Sequence, residues 1–200
     1  MSLSMPIAPL TEKAADKVAT LDRLRQAARE LFVDLGYHET RPQDIAKRAG
    51  VASGTFYLHF ADKQQAFLDF AEQAQNELLG LMSVRLQSVS GSRARWRATC
   101  GAIIDFGEEN PGLLPAAFID PVFVAPNDDN AWRMYDRLGH LVSVTLKNEV
   151  RVEQFDYELI SHGLCGLLRH AIIYASRRDL DRNKMIEDLS RFIDRGLAED

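Results

Sequence analysis

No stretch of this 200-residue chain stays apolar for the roughly 20 residues that a bilayer-spanning helix needs. The N-terminus lacks the charged-then-apolar layout of a secretory leader, so a cytoplasmic location is expected, with no membrane partner. Only two cysteines occur, Cys100 and Cys165, and their spacing fits no metal or redox motif. They suit a reduced compartment. Catalytic patterns are also missing. There is no nucleotide-binding glycine loop and no Ser–His–Asp arrangement, and Glu108 and Glu109 are helical neighbours that diverge by about 100°. His162 and His170 stand two helical turns apart, too far to share one ion at about 2 Å from each. These features predict no enzyme, no metal and no cofactor. Period-two alternation is absent as well, which excludes a sheet and predicts an all-α chain of about nine helices.

An excess of basic residues is also lacking. The formal charge is −5, which at first argues against a nucleic-acid partner. The distribution changes that reading. Residues 11–61 carry eight Lys/Arg against seven Asp/Glu, whereas 62–200 carry sixteen against twenty-two. The acidic excess lies in the second part, and the front segment is free to present a local basic face.

What is present is apolar material, 46% of the chain, at helical spacing. Residues 1–15, with Pro6 and Pro9, read as a loose arm. Leu21, Leu24, Ala28, Leu31, Phe32 and Leu35 form one stripe of a helix from about Asp16 to Leu35, ended by Gly36. Thr40 and Gln43 have capping-box spacing, which makes Thr40 the expected N-cap of the next helix, with Pro42 in its first turn. Gly50 marks a tight turn. A short helix from about Ser53 to Phe60 turns Phe56 and Phe60 inward and leaves Ser53, Gly54, Thr55, Tyr57 and His59 outside. That pair of helices, within about 41–60, reads as a helix-turn-helix whose second member enters a major groove.

The run D-I-A-x-x-A-G-V-x-x-G-T-F-Y-x-H-F-x-x-K resembles the TetR family of transcriptional regulators. The likeness covers about a third of the chain, without a gap. One departure is Ala52, where the family usually has Ser or Thr, so the second helix takes its cap from Ser53 or from outside. The resemblance implies a DNA-binding head over 16–62 and an effector-binding and dimerisation body over 63–200. Phosphate-holding candidates are Thr40, Arg41, Tyr57, His59 and Lys63. Lys63 falls in the first turn of its helix, unfavourably for a cation, which suggests an external anion. Base-reading candidates are Gln43, Ser53, Gly54 and Thr55.

Asp62 and Gln65 form a second capping box, opening a helix of about 40 Å that extends to about Val89. Helices are expected over about 93–109, 128–150, 153–176 and 181–197. Pro111, Pro115, Pro121 and Pro126 break the segment between the first two into short pieces. A cavity beside that segment suits a small apolar effector, as the resemblance implies. The candidates are Phe106, Phe118, Phe123, Trp132, Tyr135 and Tyr174, each of which also fits a plain core role. The last two helices, through Gly163, Gly166, Leu167, His170, Leu189 and Phe192, are the candidates for a two-fold dimer. The expected function is a homodimeric repressor that binds a palindromic operator and is released by its effector. The alternatives are a DNA-binding regulator governed by a protein partner and an all-α small-molecule carrier.

Overall fold

Residues 12–119, 129–146, 156–178 and 180–197 are described by the structure, a computed structural model. Phe123, the prolines Pro121 and Pro126, and most of the expected arm lie outside them. Among the described residues every regular element is helical. The chain divides into two compact units, Met1–Phe67 and Leu68–Asp200.

The first unit is the head. Helix α1 runs Glu12–Glu39 with a non-helical break at Gly36 (φ 76°, ψ 173°). Helices α2 (Pro42–Arg48) and α3 (Ser53–Phe56) follow, and α4 (Lys63–Leu86) begins here. The interior is built from Leu24, Ala28, Leu31 and Phe32 of α1, Ile45 and Ala46 of α2, and Phe56 and Phe60. Phe67 stands edge-on to Phe32 at 5.2 Å between centroids. A fully buried side chain of this size contributes about 1.5–3 kcal/mol, so these few residues dominate the head's stability. Leu35 is a correction to the expected stripe. It occupies the last turn before the Gly36 break and is half exposed.

Between α2 and α3 the chain closes a Schellman turn. The Val51 N–H donates to the Ala46 carbonyl at 3.0 Å and the Gly50 N–H to Lys47 at 3.2 Å. Gly50 has φ +69°, a conformation that side chains with a Cβ resist. Helix α3 is shorter than expected and ends at Phe56. The Phe60 N–H nevertheless reaches the Phe56 carbonyl at 2.9 Å, so both rings still face the interior.

Two capping expectations part ways here. Thr40 is not the cap of α2. That position belongs to Arg41, extended at φ −119° and making no side-chain cap bond. Thr40 is fully buried, and its hydroxyl lies against the carbonyls of Leu31 (3.1 Å) and Gly36 (2.8 Å) at the end of α1. The end of α1 exposes carbonyls that need donors, and Thr40 supplies one. At α4 the Asp62 half of the expected capping box forms, and Gln65 reaches one residue further back than the box requires. Asp62 accepts from the Gln65 N–H at 2.8 Å, while the Gln65 side chain accepts from the Ala61 N–H.

The second unit is the body. It contains the rest of α4, then α5 (Ser92–Glu109), a π-helical turn (Pro115–Ile119), α6 (Asp129–Leu146), α7 (Tyr157–Arg178) and α8 (Arg182–Gly196). Helices α5 and α8 pack against each other, as do α6 and α7. Trp96, Cys100 and Ile104 of α5 meet Val142 and Leu146 of α6, Leu168 of α7, and Ile186 and Ile193 of α8 in one core. Inside it, Thr99 and Thr145 share a buried hydroxyl bond of 2.7 Å, which satisfies both. Outside it, Asp105 accepts from Arg85 and Arg182, and Glu187 from Arg93, Arg97 and Arg191. Both clusters tie α5 to α8.

Candidate nucleic-acid interface and body cavity

The head's helix-turn-helix places most of the sequence-derived set at the surface. Arg41, Gln43, Ser53, Gly54 and Tyr57 are exposed, and Thr55 and His59 are half-buried. Leu58 is also outside, 75% exposed. An apolar residue bared beside Tyr57 has no packing role within the head. Ala52 caps α3 without a side-chain bond, and the Thr55 N–H turns back to the Ala52 carbonyl at 2.8 Å.

Two of the nine candidates are committed elsewhere. Thr40 is fully buried and offers a duplex no surface. Lys63 donates to the carbonyls of Tyr37 (2.8 Å) and His38 (3.2 Å), and its ammonium lies 4.4 Å from the centre of the Tyr37 ring. The expectation of an external anion is therefore corrected. The negative end of α1 is the partner that draws a cation into the first turn of α4. Lys47 is exposed, and Arg48 is paired with Glu30 at 2.7 Å; a hydrogen bond from Gln26 and then the one from Arg48 hold the Glu30 carboxyl below its ordinary value.

In the body, α4, α5, α6, α7 and the turn before Pro115 surround an apolar cavity of about 70 Å³. Leu78, Met82, Ile103, Leu138, Leu141 and Leu168 give its character, with Phe118 on one side. The expected aromatic pocket is only partly there. Phe118 lines the cavity, and Phe106 is buried behind it with the two rings 6.3 Å apart. Trp132 and Tyr174 are more than half exposed, and Tyr135 is half-buried, 6.0 Å from Trp132. Helical register explains the miss. Trp132 and Leu141 are nine residues apart and so point about 180° apart at roughly 100° per residue.

Sequence reasoning also passed over Gln75. It is 2% exposed and sits between Ala71 and Leu78 on the buried side of α4. A polar residue at i+4 within an apolar stripe was the available signal. The cysteines carry no chemistry here. Burial pushes the Cys100 thiol up to about 12 and the Cys165 thiol to about 11. Among the described residues no group of three or more His, Cys, Asp or Glu is placed to hold a metal ion, and no helix is long and apolar enough to cross a membrane.

Residues 24–69 match the family model for bacterial regulatory proteins of the tetR family. That segment is a TetR-type DNA-binding domain. The family is one of non-enzymatic DNA-binding regulators. Over 84 residues the chain is 36% identical to the HTH-type transcriptional activator FasR of Mycolicibacterium smegmatis, 42% of this chain and 38% of that one. Over 56 residues it is 36% identical to the fatty acid metabolism regulator protein of Bacillus subtilis, 28% of this chain and 29% of that one. The chain thus spans about two fifths of the first relative's length and under a third of the second's. In fold it is similar to the transcriptional regulator FadR of Bacillus subtilis in complex with stearoyl-CoA. That likeness has a TM-score of 0.69 and 17% identity, over 85% of this chain and 97% of that one.

Proposed function

We propose that this protein is a cytoplasmic, homodimeric transcription repressor that binds a palindromic operator and lets go when an apolar effector enters the body. The observation that carries the reading is the exposed set Arg41, Gln43, Ser53, Gly54 and Tyr57 on a helix-turn-helix whose inward faces are fully occupied. Arg41, Tyr57 and His59 hold phosphates, and Gln43, Ser53, Gly54 and Thr55 face base edges. Lys63 serves the head's own stability, and Thr40 sets the turn that aims α2.

Dimerisation is supported by the outer face of α7. Leu159, Gly163, Gly166, His170 and Tyr174 recur at i, i+4, i+7, i+11 and i+15, all exposed, and Phe192 of α8 is 65% exposed. A second copy of the chain covers such a stripe. Leu167 and Leu189 contribute less, since both pack against the body core. A two-fold dimer sets its two recognition elements about 34–36 Å apart, one turn of duplex.

The effector is an acyl chain. The cavity is lined almost wholly by aliphatic side chains, and the relatives named for fatty acid metabolism point the same way. Binding releases DNA if the effector prefers a state of the protein in which the operator is held less tightly. Footprinting of the promoter beside the protein's own reading frame, with and without acyl thioesters, tests this. A protected two-fold sequence that is lost on adding the thioester is the expected result. Protection unchanged by any acyl compound contradicts the effector, and protection gained contradicts release by it.

A further inference from the structure

Gln75 is the one fully buried side chain of the body whose amide has no hydrogen-bond partner at either end, among the described residues. Buried amides are ordinarily bonded, because leaving water without a substitute partner is costly. Its neighbourhood shows where the partner belongs. Gln75 lines an open pocket of about 410 Å³ with Asn76, Leu79, Asp136, Arg137 and His140. Arg137 is held there by Asn76 at 2.7 Å and by Glu72 at 3.2 Å, both through its terminal nitrogens. That leaves its Nε buried without an acceptor. Two unanswered donors, Gln75 Nε2 and Arg137 Nε, and one unanswered acceptor, Gln75 Oε1, thus belong to residues that line the pocket, all three atoms being buried just beneath its surface. Leu141 borders both this pocket and the apolar cavity.

We propose that the pocket at Gln75 and Arg137 receives the polar head of an amphipathic effector, a carboxamide, whose hydrocarbon chain lies past Leu141 in the apolar cavity. The proposal rests on the effector reading given above and adds the head that this site selects. A carboxamide offers a carbonyl oxygen to the two donors and an N–H to Gln75 Oε1. An ionised carboxylate only accepts, so it leaves Gln75 Oε1 without a donor and brings its charge beside Asp136. A bare alkane answers none of the three.

The test uses the full chain with octanamide, octanoate and octane, which share a chain length and differ only in the head. Binding is read by thermal shift and by competition against a fluorescent apolar probe. Octanamide is expected to bind the wild type about tenfold or more tightly than either of the others. Gln75→Leu and, as a second variant, Gln75→Met are expected to melt at or above the wild-type temperature when empty, since each removes the unpaired amide. Both are expected to keep octane binding and lose the preference for octanamide. Equal affinity of all three for the wild type, with octane bound, overturns the head assignment and leaves the cavity reading standing. A preference for octanamide that survives in the folded variants also overturns it. Failure of all three to bind the wild type overturns the cavity reading and the head with it.

Discussion

The ammonium of Lys63 lies 2.8 Å from the main-chain oxygen of Tyr37 and 4.4 Å from the centre of that residue's ring. A residue from the start of α4 thus closes the end of α1. Lys63→Met removes the donor to two carbonyls and the cation over the ring. It is expected to destabilise the head by about 1–2 kcal/mol, measured by urea unfolding. The salt slope of DNA binding is expected to stay within half an ion of wild type. A slope reduced by about one means that Lys63 holds a phosphate instead.

Thr40 acts on the same helix end from the inside. Thr40→Val keeps its shape and deletes the hydroxyl that serves Leu31 and Gly36. A cost of about 1–3 kcal/mol is expected, with Thr40→Ser recovering most of it. Equal stability of the valine variant and the wild type in urea unfolding contradicts this account of the turn.

These two residues also show what the sequence conceals. The helical pattern made the head legible: Phe56, Phe60, Ile45 and Gly50 lie where spacing put them. The helix ends were not, because a cap competes with partners distant in sequence. Thr40 had capping-box spacing, yet it turned back to Leu31, nine residues earlier. Lys63 looked misplaced by the dipole of its own helix and was answering the dipole of another. In the body, Phe118 borders the apolar cavity and Trp132 is exposed. Aromatic content locates apolar mass, but the register of α6 decides which side of the helix meets the cavity. Gln75 required knowing that α4 is buried along that side.

Acid sensitivity of the body follows from Glu187. Hydrogen bonds from Arg191 and then Arg93, with the charges of Arg93 and Arg97, lower its carboxyl from an ordinary 4.5 to about 2. A carboxyl lowered on folding adds stability above its unfolded value and loses it as protons bind in the folded state. That contribution is therefore full above about pH 4.5 and fades between pH 4.5 and 2. The wild type is expected to lose more melting temperature between pH 5 and pH 3 than Glu187→Gln does. Identical losses contradict this role.

The outer face of α7 is open at Gly163, where an added Cβ meets nothing within 4 Å. Gly163→Arg is therefore expected to leave the monomer's fold and circular dichroism unchanged. It is expected to split the dimer and so weaken operator binding by an order of magnitude or more. Sedimentation velocity checks the first effect. A Gly163→Arg protein that remains dimeric places the interface elsewhere.

The central claim is that the head grips duplex phosphates through Arg41 and Tyr57 while Gln43 and the α3 residues face the bases. The most direct measurement is a salt titration of the full chain on its own promoter fragment and on a scrambled one, with Tyr57→Phe alongside. The account predicts a log-linear fall of affinity with salt, a preference for the promoter of about a thousandfold, and a Tyr57→Phe loss equal on both sequences. Affinity that ignores salt, or equal affinity for the two fragments, contradicts it.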